Sequence, residues 1–174
     1  MNQIITREVV EQVYAQHRAD LIQAMNLSLL ESGLSVTTFD KDALDVAARW
    51  PNYWQPSSWV KELEIYRRTK PKRIELAFWM DQELLAVTLG HPTRHGTGLR
   101  LNLVQATLES KRKNRKMLPM ILTAYDLYAV MIGCNHIRVV KPLNEQLVKL
   151  YCEHGFSRLR RNPAHIFQTR KVCI

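Results

Sequence analysis

The hydrophobic pattern of the chain changes period at Ile74, and this change limits the folds that the chain can adopt. From Ile74 to Met80, apolar residues at every second position indicate a strand. Asp81-Gln82 predicts a tight turn into a second strand at Glu83–Leu89, so the two strands form an antiparallel hairpin. After a turn-rich connection over 91–98, a third strand is predicted from Leu99 to about Leu108. Three consecutive strands therefore predict the start of a sheet.

The residues before Ile74 are mainly helical and are interrupted by one aromatic segment. Apolar residues at intervals of three and four predict a helix over about residues 7–31, preceded by a short strand at Gln3–Ile5. The segment Phe39–Trp59 is rich in Trp and is broken by prolines, which favours an ordered loop. Its aromatic side chains either anchor it to the core or form the wall of a pocket. Ser58 can cap a helix that runs to about Thr69.

The residues after the third strand predict alternating helices and strands. A helical pattern from about residue 117 has Pro119 in its first turn and Gly133 at its end. β-branched residues at 136–140 indicate a strand, and Asn144 can cap a short helix that ends near Gly155. The tail at 165–173 has the pattern of a final strand. This mixture predicts an α/β (α+β) fold.

Length and composition favour one domain. The 174 residues, 46% of them hydrophobic, suffice for one core, so we expect a single domain at 1–174, with a mainly helical part at 1–73 and a sheet part at 74–173. No run of about 18 apolar residues predicts a membrane span, and no apolar signal sequence follows Met1, so we expect a cytoplasmic protein. The three cysteines have neither a CxxC pair nor zinc-ligand spacing, which predicts buried free thiols and no metal.

Positive charge is concentrated in the later two-thirds of the chain. The net charge is +9: residues 1–59 carry 4 Lys and Arg against 7 Asp and Glu, whereas residues 60–174 carry 21 against 9. Five basic residues fall within the six positions Lys111–Lys116. This imbalance favours a polyanionic partner, either nucleic acid or a phosphorylated cofactor, and solvated basic loops are the alternative.

The run Ile137–Phe156 is the most specific pattern in the chain. A β-branched strand is followed by Asn144, by Tyr151 seven positions later, and then by Gly155-Phe156. This run resembles the cofactor-side strand, helix and Gly-Phe ending of the GNAT superfamily of acyl-coenzyme A-dependent N-acyltransferases, and the resemblance covers about residues 74–173. It implies a GNAT-like fold, with a mixed, mostly antiparallel central sheet flanked by helices, here with a helical N-terminal region.

The resemblance also implies a site for acyl-CoA, with acetyl-CoA as the expected form. In the family, a loop of the form Gln/Arg-x-x-Gly-x-Gly/Ala precedes a helix and binds the pyrophosphate through backbone N–H groups. The corresponding loop here has no glycine, and two registers place either Asn114 and Lys116 or Arg115 and Met117 at the glycine positions. Asn tolerates a left-handed backbone better than other non-glycine residues, which favours the first register. The residues that the resemblance assigns to cofactor binding are Val104, Ala106 and Leu108 on the third strand, Lys111, Arg112, Asn114, Arg115, Lys116 and Met117 in the loop, and Asn144 and Tyr151 on the following helix.

Acyl transfer to an amine requires a base for the amine and a proton for the departing thiolate. Tyr151 occupies the position of the family's thiolate-facing tyrosine, so the resemblance implies a catalytic role, and a core-edge tyrosine is the alternative. Glu83 and His91 lie on or beside the predicted strands and are catalytic candidates for the base. Other candidates of the same kind are Glu75, His95 and Glu109.

The sequence thus predicts an N-acyltransferase that uses acyl-CoA. The charge pattern suggests an amine acceptor that is nucleic acid or a nucleic-acid-associated molecule. The alternative is a non-catalytic GNAT-like module that binds nucleic acid through its basic loop. A homodimer is compatible with either function, and no membrane partner is expected.

Overall fold

The computed structural model describes residues 6–51, 58–107, 117–162 and 165–172. The strands are β1 Leu34–Thr38, β2 Ile74–Met80, β3 Glu83–Pro92, β4 Gly98–Ala106, β5 His136–Val140, β6 Ser157–Asn162 and β7 His165–Lys171. They form one sheet in the order β1-β2-β3-β4-β5-β7-β6. Neighbouring strands are antiparallel except β4 and β5, which are parallel. The predicted mixed, mostly antiparallel sheet is confirmed.

Five helices accompany the sheet in the part of the chain that the structure describes. They are α1 Arg7–Leu29, α2 Lys41–Ala47, α3 Trp59–Thr69, α4 Met117–Met131 and α5 Glu145–Glu153. Four begin after a residue whose side-chain oxygen accepts a hydrogen bond from the backbone N–H three positions later. These caps are Thr6, Asp40, Ser58 and Asn144. Because each cap satisfies a donor that has no partner inside its helix, α3 and α5 begin where their capping residues predict.

The helices cover both faces of the sheet. Leu76 and Phe78 of β2 lie in one hydrophobic cluster with residues of α1 and α4, whereas Ala77 lies in a second cluster with residues of α2 and α3. Side chains alternate between faces along a strand, so the two clusters occupy opposite faces of one sheet. Tyr125 and Tyr128 of α4 are fully buried in the first cluster. A helical N-terminal region and a sheet flanked by helices are both confirmed.

Several elements differ from the sequence prediction. The sequence pattern predicts neither β1 nor β6. The prediction of a loop throughout Phe39–Trp59 is wrong, because α2 begins after Asp40, whose side chain accepts a hydrogen bond from the Ala43 N–H at 3.0 Å. β3 continues beyond its predicted end, so His91 lies on a strand rather than in a connection. The predicted strand at Gln3–Ile5 lies outside the described residues.

A β-bulge in β4 determines where the sheet separates. Leu103 pairs with Leu89 and Leu101 pairs with Gly90, so Asn102 is an extra residue on the β4 side of this pair. On the other side of β4, the last pair with β5 joins Leu101 to Val139. A bulge bends its strand and increases the local twist. From Asn102 onward, β4 is therefore no longer paired with β5.

The bulge requires a glycine at position 90. A Cβ atom at Gly90 would overlap the carbonyl oxygen of Arg100 and lie 2.7 Å from the hydroxyl oxygen of Tyr125. The first neighbour is backbone, and Tyr125 is held by a 2.9 Å hydrogen bond between its hydroxyl and that of Thr88. Neither can move without disrupting the sheet or the core, so the missing side chain allows β3, β4 and α4 to approach closely.

We expect Gly90→Ala to lower the free energy of unfolding by about 3 kcal/mol or more, the upper range for overpacking of a buried site. Gly98→Ala is the matched control, because its Cβ would meet the His136 ring at 2.5 Å and a side chain can rotate away. Urea denaturation of both variants measures the difference. Equal losses of unfolding free energy in the two variants, or a Gly90→Ala protein as stable as the parent, would show that the bulge does not require glycine at position 90.

Candidate functional site

A cleft of about 390 Å³ lies where β4 and β5 separate. Its described lining residues are Glu62 and Tyr66 of α3, Leu101–Val104 of β4, Val139–Leu143 at and after the end of β5, and Leu147 and Tyr151 of α5. Beyond Leu101, the edge of β4 on this side is not paired with another strand. Backbone N–H and C=O groups on such an edge are available to an extended ligand.

Two helices begin at the same edge of the sheet as the cleft. Parallel strands have their carboxyl ends at one edge, and α4 follows β4 whereas α5 follows β5. A helix N-terminus has unpaired backbone N–H groups and a partial positive charge. This arrangement suits an anionic group on a molecule that lies in the cleft.

Tyr151 is a buried side chain that also lines the cleft. It is 7% exposed, and its ring centroid lies 5.5 Å from that of Phe156. Burial raises the pKa of Tyr151 to about 12, so the phenol keeps its proton at neutral pH. No described residue forms a hydrogen bond with its hydroxyl. The hydroxyl can therefore donate a hydrogen bond to a molecule in the cleft.

Three further polar side chains line the cleft, and the sequence pattern does not single them out. Asn102, the bulge residue, has a buried side-chain oxygen without a hydrogen-bond partner. Glu62 is half-buried, and it is the carboxylate among the described lining residues. Burial raises the pKa of Tyr66, and the negative charge of Glu62 raises it further. Their spacing places Glu62 and Tyr66 on one helix face, but no sequence signal indicates that this face covers a cleft.

The residues predicted to bind the cofactor are brought together only in part. Val104 and Tyr151 line the cleft. Ala106 is exposed at the end of β4, and Asn144 is exposed and accepts a 2.9 Å hydrogen bond from the Leu147 N–H as the cap of α5. Met117 begins α4 and packs in the core. Outside the described residues lie Leu108, Lys111, Arg112, Asn114, Arg115 and Lys116, whose roles stay predictions.

Glu83 and His91 are not among the described residues that line this cleft. Glu83 begins β3 beside the turn from β2. Near the other end of that strand, the Nδ1 of His91 donates to the Pro92 carbonyl oxygen at 2.8 Å, and burial lowers the pKa of His91. Glu75 forms a salt bridge with Arg73, in which both side chains are buried, and this contact gives Glu75 a structural role. The catalytic roles of Glu83 and His91 stay predictions.

The thiols and the metal-binding residue types form no further site within the described ranges. There, no group of three His, Cys, Asp or Glu side chains is arranged to hold a metal ion. Cys134 and Cys152 are not joined in a disulfide, as predicted, but Cys152 is exposed rather than buried because it lies on the outer side of α5. No described helix is both long and apolar enough to cross a bilayer.

Comparison with solved structures shows which proteins share this architecture. Ard1 from Thermoplasma volcanium matches with a TM-score of 0.64 at 12% identity, over 82% of this chain and 99% of that one. The GNAT domain of PAT from S. lividans matches with a TM-score of 0.60 at 12% identity, and the match covers 79% of this chain and 89% of that one. This chain has the GNAT acetyltransferase fold. An aminoglycoside 6′-N-acetyltransferase complexed with coenzyme A shares this fold, with a TM-score of 0.60 at 18% identity. The match covers 80% of this chain and 97% of that one. No protein-family model and no curated protein sequence matches the chain.

Because the Tyr151 hydroxyl has no described partner, we expect Tyr151→Phe to change the free energy of unfolding by less than about 0.5 kcal/mol. Tyr125→Phe is the matched control, since it removes the hydroxyl that hydrogen-bonds Thr88 in the core, and it should cost about 1–2 kcal/mol. Urea denaturation compares the two. If Tyr151→Phe lowers the free energy of unfolding as much as Tyr125→Phe does, the Tyr151 hydroxyl has a structural role and does not mark a site.

Proposed function

We propose that this protein is an acyl-CoA-dependent N-acyltransferase, with acetyl-CoA as its acyl donor. One observation carries the proposal: at the bulge of β4, Tyr151 lines the cleft with a protonated hydroxyl beside an unpaired strand edge. The aminoglycoside 6′-N-acetyltransferase with the same fold is complexed with coenzyme A, which supports the choice of donor.

The described residues of the cleft fit the chemistry of the coenzyme's pantetheine arm. The unpaired edge of β4 offers backbone donors and acceptors to an extended, amide-bearing chain, as in strand addition. The side-chain oxygen of Asn102 has no hydrogen-bond partner, and it can accept an N–H from such a chain when the side chain turns toward the cleft. Leu101, Val104 and Leu147 provide apolar contacts. The N-termini of α4 and α5 at this edge suit a pyrophosphate.

Acyl-CoA supplies the acyl group as a thioester, so the C–S bond breaks, a C–N bond forms, the amine loses one proton and the sulfur gains one. A tyrosine hydroxyl is protonated at neutral pH, and burial raises the pKa of Tyr151 further, to about 12. Its hydroxyl can therefore donate a hydrogen bond to a sulfur atom on which negative charge develops. A hydrogen-bond donor held in place in a partly desolvated cleft stabilises such charge more than water does.

We assign the role of base to Glu62. Its half-buried carboxylate lines the same cleft as Tyr151, one turn before Tyr66 on α3. A carboxylate there can attract an ammonium group and accept its proton, directly or through one water molecule. Glu83 and His91, which the sequence favours, are outside the described lining and are the alternatives that mutation can separate from Glu62.

The charge of the chain favours an acceptor that is nucleic acid or a nucleic-acid-associated molecule. The net charge is +9, and the basic positions Lys111–Lys116 connect β4 to α4, next to the cleft in chain order. The second candidate function is non-catalytic binding of nucleic acid through this basic loop. Salt-sensitive RNA or DNA binding that is lost on neutralising Lys111–Lys116, in a protein that does not bind acetyl-CoA, would favour this second function.

Isothermal titration calorimetry should show that acetyl-CoA binds the parent and Tyr151→Phe proteins with similar affinity. Turnover of Tyr151→Phe, measured as thiol release with a panel of amines, should fall about 100-fold, a typical loss for one catalytic group. Tyr128→Phe is the control, because its hydroxyl donates to the Arg73 carbonyl oxygen at 3.0 Å and it does not line the cleft. A parent protein that does not bind acetyl-CoA, or unchanged turnover in Tyr151→Phe, contradicts the proposal.

Glu62→Gln should lower kcat/KM about 100-fold, because the amide cannot accept the proton. Glu64→Gln, an exposed change on the same helix outside the cleft, should leave the rate unchanged. The test extends to Glu83→Gln and His91→Gln. A loss in either of these variants with normal rates in Glu62→Gln would transfer the role of base to that residue.

A further inference from the structure

A second cavity, of about 470 Å³, lies toward the amino end of β4, away from the diverging end. Four cationic side chains line it, namely Lys70, Lys72, Arg94 and Arg100. None of its described lining residues is Asp or Glu. None of the four cations forms a salt bridge with a described residue. The cavity is therefore a concave surface of unneutralised positive charge.

The arginines close to this cavity that do have carboxylate partners lie outside its lining. Close by in the fold, Arg18, Arg67 and Arg73 are neutralised by Glu11 and Glu75 through salt bridges of 2.6 to 3.2 Å. Arginines that serve the core are thus paired with carboxylates. Four cations that have no salt bridge to a described residue surround one concavity, and they create a positive potential that attracts an anion.

Arg100 gives the cavity a buried donor that has no acceptor. It lies on β4 beside the bulge, and its Nε atom is buried without a hydrogen-bond partner. A buried N–H that lacks an acceptor is unfavourable, and a ligand removes this cost when the Arg100 side chain turns its Nε toward the cavity. The planar donor arrangement of a guanidinium matches the oxygen atoms of a phosphate group.

His91 gives the cavity a group whose protonation responds to an anion. The Pro92 carbonyl can only accept, so Nδ1 of His91 carries its proton and Nε2 is the atom that titrates. Burial lowers the pKa of His91, and the positive charges of Lys70 and Arg100 also lower it. A bound phosphate group brings negative charge near the ring and would shift this pKa upward.

We propose that this cavity binds the phosphate group of the amine acceptor. Tyr66 joins the two cavities, because its ring centroid lies 5.9 Å from that of His91 and its side chain also lines the cleft with Tyr151. The positive charge of Arg100 acts on Tyr66 and opposes the rise in its pKa, which places Arg100 close to Tyr66. A molecule whose phosphate contacts Arg100 thus has the cleft beside it for its amine. The acceptor class is a phosphorylated amine, and this inference rests on the proposed acyl transfer.

Titration with inorganic phosphate at constant ionic strength, without acetyl-CoA, tests the phosphate site by itself. NMR of the labelled histidines should show that phosphate raises the pKa of His91. Arg100→Gln should weaken phosphate binding about tenfold, as expected for loss of one charge-assisted hydrogen bond. Arg68→Gln is the matched control, since it removes an exposed charge nearby that does not line the cavity. No binding by the parent, or equal affinities in the two variants, would overturn the site.

The acceptor role is tested with amines in matched pairs, each with and without a phosphate group, including a short amine-bearing RNA and its nucleosides. Phosphorylated members should react with kcat/KM about tenfold higher, and Arg100→Gln but not Arg68→Gln should abolish this preference. A preference for phosphomonoesters identifies a small molecule and a preference for RNA identifies a strand, and both support the proposal. A panel in which no phosphorylated amine is preferred overturns it.

The two proposals fail separately. If the protein binds phosphate through Arg100 but does not bind acetyl-CoA, the acyltransferase function and the acceptor role both fall, whereas the phosphate site stands. If it binds acetyl-CoA and transfers the acyl group without any dependence on Arg100, the function stands and the acceptor inference falls.

Discussion

The close approach of Gly90 to the Arg100 carbonyl is the contact on which the rest of the structure depends. It lets β4 accommodate Asn102 as an extra residue while β3, β4 and Tyr125 of α4 remain packed together. The bulge comes where β4 leaves β5, so one strand has a paired half and an unpaired half. The unpaired half lines the cleft with Tyr151, and the paired half carries Arg100 in the cationic cavity. Two candidate binding surfaces thus derive from one backbone irregularity.

The described polar side chains of the core differ in whether the fold supplies their hydrogen-bond partners. Tyr125 and Tyr128 are buried tyrosines whose hydroxyls are hydrogen-bonded, and their roles are structural. Tyr151 is similarly buried but has no described hydrogen-bond partner. The same contrast separates Arg73, which is paired with Glu11 and Glu75, from Arg100, whose Nε has no partner. Buried polar groups are rarely left without partners, and the Nε of Arg100 and the side-chain oxygen of Asn102 are such exceptions at the two candidate sites.

The sequence predicts the elements with strong local signals and misses those that depend on long-range packing. The alternation from Ile74 and the caps Ser58 and Asn144 act within a few residues, and the elements they predict are present. α2 has only seven residues, too few for a helical period to stand out within the aromatic segment, and β1 forms an edge strand through long-range pairing with β2. The cleft was predictable through Tyr151 and Val104, because the run before Gly155-Phe156 resembles a known family. Glu62 was not, because it enters the cleft only when α3 packs over β4.

The central claim is that the separated ends of β4 and β5 bind acyl-CoA, and hydrogen–deuterium exchange with added acetyl-CoA tests it most directly. Exchange reports on individual backbone amides, so it locates the ligand as well as detecting it. Bound acetyl-CoA should slow exchange in peptides that cover residues 101–106 and 141–151, with little change in β1 and β2. Unchanged exchange in both of those segments at saturating acetyl-CoA, or protection confined to other parts of the fold, would contradict it.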